Sequence, residues 1–164
     1  MGRKVFYSFH YTKDNARAAQ VRNMGVIEGN NPIKDNEWEK VKQTDASIKK
    51  WIDEQLTGRS CTVVLVGEET ADRKWINYEI KKSWELGKGI VGIRIHNLKN
   101  LDGEQSKEGK NPFDGFTLGG KSLSKTVKLY NSPYKISTNV YSHIKENIES
   151  WIEEAIEIRK NYKN

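Results

Sequence analysis

Short apolar runs alternate with amphipathic segments along this chain, a pattern that predicts β-strands alternating with α-helices. The run 61–66, CTVVLV, has almost no polar alternation, which is typical of a strand buried on both faces of a parallel sheet. We therefore place this run at the centre of the sheet. Runs of similar character predict strands at 5–9 and 90–95, and shorter runs predict strands at 26–27 and 126–130.

Four further segments predict helices, at 16–24, 45–56, 72–86 and 138–162. Their starts should be capped by side chains that accept a hydrogen bond from a free backbone N–H, and the first three should end at glycines. The expected caps are Thr12 with Asp14, then Asp45, then Asp72, then Ser137 or Thr138, and the expected terminators are Gly25, Gly58 and Gly87.

The order of these elements predicts an α/β protein, because strand–helix repeats with short connections build a mostly parallel sheet covered by helices on both sides. A length of 164 residues suits one domain, which we assign to 1–164. The segment 96–137 is rich in Gly, Lys and Asn and interrupts the pattern as an irregular insertion. Such a long loop is expected to be functional or partly mobile. The C-terminal helix, 138–162, should pack on the sheet.

Composition narrows the function classes. The chain has 28 Lys and Arg against 22 Asp and Glu, a net charge of +6, but the basic residues are scattered among acids and form no dense stripe. Nucleic acid is therefore a minority option as a partner. No apolar run is long enough to cross a membrane, and residues 1–6 lack a signal-peptide pattern. Together with a single cysteine, Cys61, these features predict a cytoplasmic protein with no internal disulfide.

Ligands of open parallel sheets bind at the carboxyl ends of the strands, so the residues there are the candidates for chemistry. They include Ser8, Phe9, His10 and Tyr11 after the first strand, and His96 after the run 90–95. Two histidines without a well-placed third ligand make a weak metal site, so we predict none. His143 lies in the last predicted helix and is expected to be exposed.

A literal phosphate-loop motif occurs at 115–122, GFTLGGKS. Its context differs from a true phosphate loop, because no buried strand precedes it and a poor helix-forming segment follows. A flexible surface loop is the favoured interpretation, and a nucleotide-binding loop using Lys121 and Ser122 stays open as a remote one. No glycine fingerprint of a dinucleotide fold follows the first strand.

Trp75 and Glu79 form a sharper constellation within the predicted helix 72–86. Four residues apart, they share one face beside the apolar stripe. An indole next to a carboxylate can hold a flat cationic ring and stabilise positive charge that develops nearby. The alternative without a functional role is a packed Trp beside a solvated Glu.

With these residues in place, the chain resembles a TIR domain, specifically the TIR-like proteins of prokaryotic antiviral defence of the Thoeris ThsB type. The resemblance spans about residues 3–115. It rests on RKVFYSFHY at 3–11, the pair Trp38-Glu39, CTVVLVG at 61–67, WINYEIKKS at 75–83, IVGIRIH at 90–96 and NPFD at 111–114. The resemblance implies a flavodoxin-like, three-layer αβα fold with about five strands.

The resemblance also implies an activity. The family cleaves the nicotinamide–ribose bond of NAD+, which is a substrate and not a cofactor, and some members cyclise the ADP-ribosyl product into a signal for a separate effector protein. The Glu of W-x-x-x-E is catalytic in this family, which corresponds to Glu79, and Trp75 would line the pocket. Ser8, Phe9, His10 and Tyr11 would line it too, as would Trp38.

The expected pocket also bears on which product the reaction gives. A dry pocket lined by aromatic side chains favours internal attack on the ribosyl cation over attack by water. The loop 28–42, with Lys34, Lys40 and Lys42, departs from the family's self-association loop, so contacts between copies stay open. A different class of function is also open, a non-catalytic TIR-like interaction module in which Glu79 is incidental.

Overall fold

The computed structural model describes residues 4–24, 44–118 and 120–162. Four strands form one parallel sheet in the order β1-β2-β3-β6, and β4 pairs with β5 in a separate antiparallel ladder. The strands are β1 (Val5–Ser8), β2 (Cys61–Val66), β3 (Gly89–Arg94), β4 (Thr117–Leu118), β5 (Lys121–Ser122) and β6 (Leu129–Tyr130). The α-helices are α1 (Tyr11–Arg22), α2 (Asp45–Leu56), α3 (Lys74–Glu85) and α4 (Ser137–Asn161).

The prediction of an α/β fold with a parallel sheet is confirmed. β2 lies between β1 and β3, and every one of its residues is buried, as its unbroken apolar pattern predicts. The last strand is shorter than the predicted run 126–130 because the turn that begins with the 3-10 helix Leu123–Lys125 extends to Val127, whose N–H donates to the Leu123 carbonyl. Four parallel strands lie in the described residues, against about five predicted, and the predicted strand 26–27 lies outside them.

One face of the sheet packs against α1 and α4. Alternate residues of each strand point to this face, including Val63 and Leu65 of β2 and Ile93 of β3, and they meet Ile144 and Ile148 of α4 in one buried cluster. Gly89 brings α4 close to the sheet, since a Cβ at that position would lie 2.7 Å from the backbone nitrogen of Ile156. The C-terminal helix therefore packs on the sheet, as predicted.

The opposite face is covered by α2, α3 and part of the segment 96–137. That segment contains two 3-10 helices, Pro112–Gly115 and Leu123–Lys125, besides β4, β5 and β6. Phe113 is fully buried there, against Gly92 of β3, where a side chain would collide with the Phe113 ring. The segment thus supplies core residues to the sheet in addition to surface loops.

The predicted starts and N-caps of the helices agree least well with the structure. α1 begins at Tyr11 and not at Ala16, so Asp14 lies inside the helix, 1% exposed. Thr44 caps α2, with its Oγ1 accepting from Ser47 N at 3.2 Å, and Asp45 follows as the first helical residue. Asp72 does not cap α3, since it adopts a φ of 69° and Arg73 holds the cap position.

Helix ends agree better with the sequence. α2 ends two positions before Gly58 and α3 two positions before Gly87, whose φ values of 78° and 76° lie in the left-handed region that glycine tolerates. α4 begins at Ser137, but no side-chain cap bond forms there and Ile136 holds the cap position. The predicted terminator Gly25 lies outside the described residues.

Candidate functional site

A carboxylate occupies the buried stripe of α3. The helix turns its buried positions Ile76, Glu79, Ile80 and Ser83 toward the sheet, at the three- and four-residue spacing of one helical face. Glu79 is fully buried among them. An ionisable side chain in an apolar stripe costs stability unless it is paired or hydrogen-bonded, so its surroundings decide its state.

Ser8 contacts this carboxylate from the sheet. It is the last residue of β1, and strand alternation points its side chain, like that of Phe6, away from α1 and α4. The Ser8 hydroxyl donates a hydrogen bond to Oε1 of Glu79, and both side chains are buried. A donor of this kind fixes the orientation of the carboxyl group.

A second polar contact lies one helical turn further along α3. The Ser83 hydroxyl donates to the backbone carbonyl of Glu79 at 2.6 Å, and Thr62 Oγ1 of β2 lies 2.6 Å from Ser83 Oγ. Both hydroxyl residues are fully buried. The sheet therefore contacts Glu79 through two routes, one to its carboxylate and one to its backbone.

Trp75 lies one turn before Glu79 and is half-buried. Its ring packs against the cluster of Phe6, Ile48, Ile52 and Leu56 that joins β1 to α2, and it meets the Tyr78 ring edge-on at 5.9 Å. The Tyr78 hydroxyl donates to Asp53 at 2.9 Å, and burial together with that carboxylate raises the pKa of Tyr78 to about 12. Trp75 and Tyr78 together form a partly buried aromatic surface at the start of α3.

The other residues expected at the pocket are distributed differently. Phe9 is fully buried in the cluster shared with α1 and α4, on the face opposite Glu79, because it follows Ser8 directly and strand side chains alternate. His10 holds the cap position of α1 and is 5% exposed, while Tyr11 begins the helix and stacks on Phe9 at 6.3 Å. Trp38 lies outside the described residues, as do Lys34, Lys40 and Lys42.

A separate polar centre at the carboxyl edge of the sheet was not anticipated. Asp14 and Arg17 are buried and pair at 3.1 Å, and Arg17 also donates to the carbonyls of Leu98 and Glu104, both at 2.8 Å. Burial raises the pKa of Asp14 to about 6, despite the neighbouring guanidinium. The pair borders a cavity of about 230 Å³ that Glu68 and Glu69 also line.

The remaining candidates are two histidines. His96 is 7% exposed, and burial lowers its pKa, while no group of three or more His, Cys, Asp or Glu among the described residues could hold a metal ion. His143 is half-buried and not exposed as expected, because its ring lies between Tyr134 and Trp151.

The phosphate-loop motif at 115–122 lacks the strand–loop–helix architecture that phosphate binding requires. Its described residues begin at the end of a 3-10 helix, and they continue into the short ladder of β4 and β5. Another 3-10 helix follows, of only three residues. The structure therefore contradicts a nucleotide-binding loop that uses Lys121 and Ser122.

Comparisons with known proteins bear on this site directly. The family model described as "Thoeris protein ThsB, TIR-like domain" matches residues 6–100, a range that includes Ser8, Trp75 and Glu79. A curated protein of Bacillus cereus (strain MSX-D12), named "Putative cyclic ADP-D-ribose synthase ThsB1", is 38% identical over 136 residues. That alignment covers 79% of this chain and 71% of the relative.

None of the helices in the described part of the chain has the length and apolarity needed to span a bilayer.

Proposed function

This chain belongs to the Thoeris ThsB family of TIR-like domains, and we propose that it is an NAD+-cleaving cyclase of antiphage defence. In this proposal it breaks the bond between nicotinamide and ribose and converts the ADP-ribosyl product into a cyclic ADP-ribose-type signal. The name of the Bacillus cereus relative supports the product class. NAD+ is the substrate here, and no further cofactor is required.

The observation that carries the proposal is the buried carboxylate of Glu79, held by Ser8 on the sheet-facing stripe of α3. An apolar residue at that position would extend the stripe formed by Ile76 and Ile80. A carboxyl group with a fixed orientation in such a place is the arrangement expected of a functional acid, since burial of an unneeded charge costs stability.

The chemistry requires little more than this carboxylate. When the bond from ribose C1′ to the pyridinium nitrogen breaks, its electron pair goes to that nitrogen, so nicotinamide leaves as a neutral molecule. No general acid is needed, and positive charge develops on the ribose. Glu79 stabilises that oxocarbenium-like cation by its negative charge and holds ribose hydroxyls, in a water-poor site where electrostatic interactions are strong.

Formation of a cyclic product depends on which nucleophile reaches C1′ first. In internal attack, a lone pair on a nitrogen or hydroxyl oxygen of the same nucleotide forms the new bond to C1′, and the one proton that this step sets free passes to solvent. This attack gains from proximity when water is excluded from C1′. The half-buried rings of Trp75 and Tyr78 supply apolar surface beside Glu79. We assign Trp75 to the nicotinamide or ribose side of the pocket, with Ser8 orienting Glu79.

The roles of the other predicted residues are also proposals. His10 and Tyr11 lie at the carboxyl end of β1 and are assigned to the edge of the pocket, and Trp38 is assigned to its lining. Phe9 acts through its stack on Tyr11, because its own ring is buried in the core. Self-association through TIR contacts, a separate effector that detects the nucleotide signal and a cytosolic location complete the proposal.

The test compares wild type with Glu79→Gln, which keeps the shape of the side chain and removes its charge. Purified protein at high concentration is incubated with NAD+, and nicotinamide and cyclic products are measured by mass spectrometry. Glu85→Gln is the matched control, since Glu85 ends the same helix and is exposed. The proposal predicts product from wild type and the control and at least a hundredfold less from Glu79→Gln.

The same variants are then expressed in cells challenged with phage, where any activating trigger is present. Loss of defence and of product with Glu79→Gln supports the enzyme. Full defence with Glu79→Gln, without any NAD+ product, would contradict the proposal and favour the interaction module.

A further inference from the structure

Most of the contact between α3 and the sheet is apolar. Ile76 and Ile80 pack against Val64 and Val66 of β2 in a buried cluster. Apolar contacts are non-directional, so they hold the helix against the sheet without fixing its rotation or its position along its own axis to a fraction of an ångström. A catalytic carboxylate on this helix needs a more specific constraint.

The hydroxyls of Thr62 and Ser83 form that constraint, and chemistry assigns the direction of their hydrogen bonds. A carbonyl can only accept, so the Ser83 hydroxyl proton must go to the carbonyl of Glu79, 2.6 Å away. Ser83 then has only lone pairs left for its second contact. Thr62 is therefore the donor across the 2.6 Å between the two hydroxyl oxygens.

We propose that Thr62 and Ser83 are positioning residues for Glu79, locking the register of α3 on the sheet so that its carboxylate meets Ser8 and the reacting ribose. The proposal rests on the function proposed above. Thr62 lies on β2, and its register partner on β1 is Phe6, two residues before Ser8. Two adjacent strands thus hold Glu79. β1 binds its carboxylate through Ser8, and β2 reaches its backbone carbonyl through Thr62 and Ser83.

Stability alone does not explain this pair of buried hydroxyls. Replacing both partners of a buried hydrogen bond by apolar groups of the same shape can be nearly neutral for folding. Thr62→Val and Ser83→Ala would extend the apolar cluster around Val64 and Ile80. A purely structural role therefore predicts similar kinetics after such replacement, whereas a positioning role predicts a loss of turnover.

The experiment measures steady-state NAD+ cleavage by Thr62→Val, Ser83→Ala, Thr62→Ser and the double variant Thr62→Val/Ser83→Ala. The double variant removes both partners of the buried hydrogen bond, so its kcat should fall with little change in stability. Thr62→Val substitutes a methyl group for the hydroxyl and leaves the bond from Ser83 to the Glu79 carbonyl in place. We expect kcat to fall about tenfold or more in Thr62→Val and Ser83→Ala, with KM changed by less than about twofold. Thr62→Ser retains the hydroxyl and should restore most of the turnover.

Ser150→Ala is the matched control, because the Ser150 hydroxyl also donates to a carbonyl of its own helix, that of Asn147, but on the exposed side of α4. It should keep wild-type kcat. Thermal unfolding of every variant is measured in parallel. Wild-type kcat in Thr62→Val, or an equal loss in Thr62→Val and Thr62→Ser, would overturn the proposal.

A second measurement separates failure of this inference from failure of the proposed function. The carboxyl carbon resonance of Glu79 in protein labelled with ¹³C-glutamate, assigned by its loss in Glu79→Gln, reports the environment of the carboxylate without any substrate. A shift in Thr62→Val but not in Ser150→Ala supports positioning even if NAD+ is not cleaved. An unmoved resonance in Thr62→Val contradicts positioning even if NAD+ is cleaved.

Discussion

The Ser8 hydroxyl donates a hydrogen bond to the Glu79 carboxylate across 71 residues of sequence, inside the interface between β1 and α3. Ser8 is the last residue of its strand, and Glu79 lies mid-helix on the only face of α3 that points to the sheet. Strand alternation and helix periodicity together bring the two side chains to one place. The pair defines the centre of the proposed site.

Removal of the Ser8 hydroxyl tests this relationship. Because a hydrogen bond to a charged group contributes about 1.5–3 kcal/mol, Ser8→Ala should lower the free energy of unfolding by a similar amount. Turnover of NAD+ should fall at least about tenfold, since the carboxylate loses its orienting donor. Urea unfolding and nicotinamide release measure the two effects. Wild-type turnover in Ser8→Ala would show that Ser8 does not orient Glu79.

Gly89 tests the close packing of α4 on β3. A Cβ at Gly89 would lie 2.7 Å from the Ile156 backbone nitrogen, and backbone cannot rotate away as a side chain can. Gly89→Ala should therefore destabilise the protein by roughly 1–3 kcal/mol in urea unfolding. The control is Gly115→Ala, where a Cβ meets nothing within 4 Å. Equal stability of the two variants would contradict this packing.

Substitution of Arg17 tests the polar centre at the carboxyl edge of the sheet. Its guanidinium joins Asp14 of α1 to the carbonyls of Leu98 and Glu104, in the loop after β3. Arg17→Met would leave the Asp14 carboxylate buried without its cation, so we expect a loss of about 3–5 kcal/mol in the free energy of unfolding. Hydrogen exchange should accelerate around residues 98–106. A loss under about 1 kcal/mol would show that the pair is dispensable.

Asp14 should also give the protein a specific dependence of stability on pH. Its pKa of about 6 in the folded protein exceeds the ordinary value of 3.8, so between these values the folded state binds more protons than the unfolded state. Stability contributed by this group therefore rises as pH falls from above 6 toward 4, and is lost again as pH rises through 6. Asp14→Asn cannot take up this proton.

The measurement is the difference in unfolding free energy between wild type and Asp14→Asn, taken at intervals from pH 4 to pH 7.5. The contributions of titratable groups that both proteins share cancel in this difference. The unfolding free energy of wild type should increase relative to that of Asp14→Asn as pH decreases from 7.5 to 4. A difference that is flat, or that changes in the opposite direction, would contradict the raised pKa of Asp14.

The sequence predicts the frame of this fold well, because local patterns specify it. The run Cys61–Val66 needs only its unbroken apolar character to be recognised as an inner strand, and its bounds agree with the structure. Gly58 and Gly87 mark helix ends through their own backbone preference. Residues whose role depends on tertiary packing are harder to predict, as Asp14 shows: it resembles a helix cap locally, but the packing of α1 buries it beside Arg17, three residues along the same helix.

The site was predictable only in part for the same reason. Glu79 could be singled out from its spacing to Trp75 and from the resemblance to TIR domains, yet its burial and its bond to Ser8 depend on the packing of α3 on β1. The pairing of Thr62 with Ser83 has no local signature at all. Strand alternation could have placed Phe9 opposite Ser8, because adjacent strand residues point to opposite faces.

The decisive measurement is nicotinamide release from NAD+ by wild type and by Glu79→Gln, at equal protein concentration and with Glu85→Gln alongside. We expect release by wild type and Glu85→Gln, and a rate at least about a hundredfold lower for Glu79→Gln, with thermal unfolding showing that this variant still folds. Equal release by Glu79→Gln and wild type would contradict this expectation.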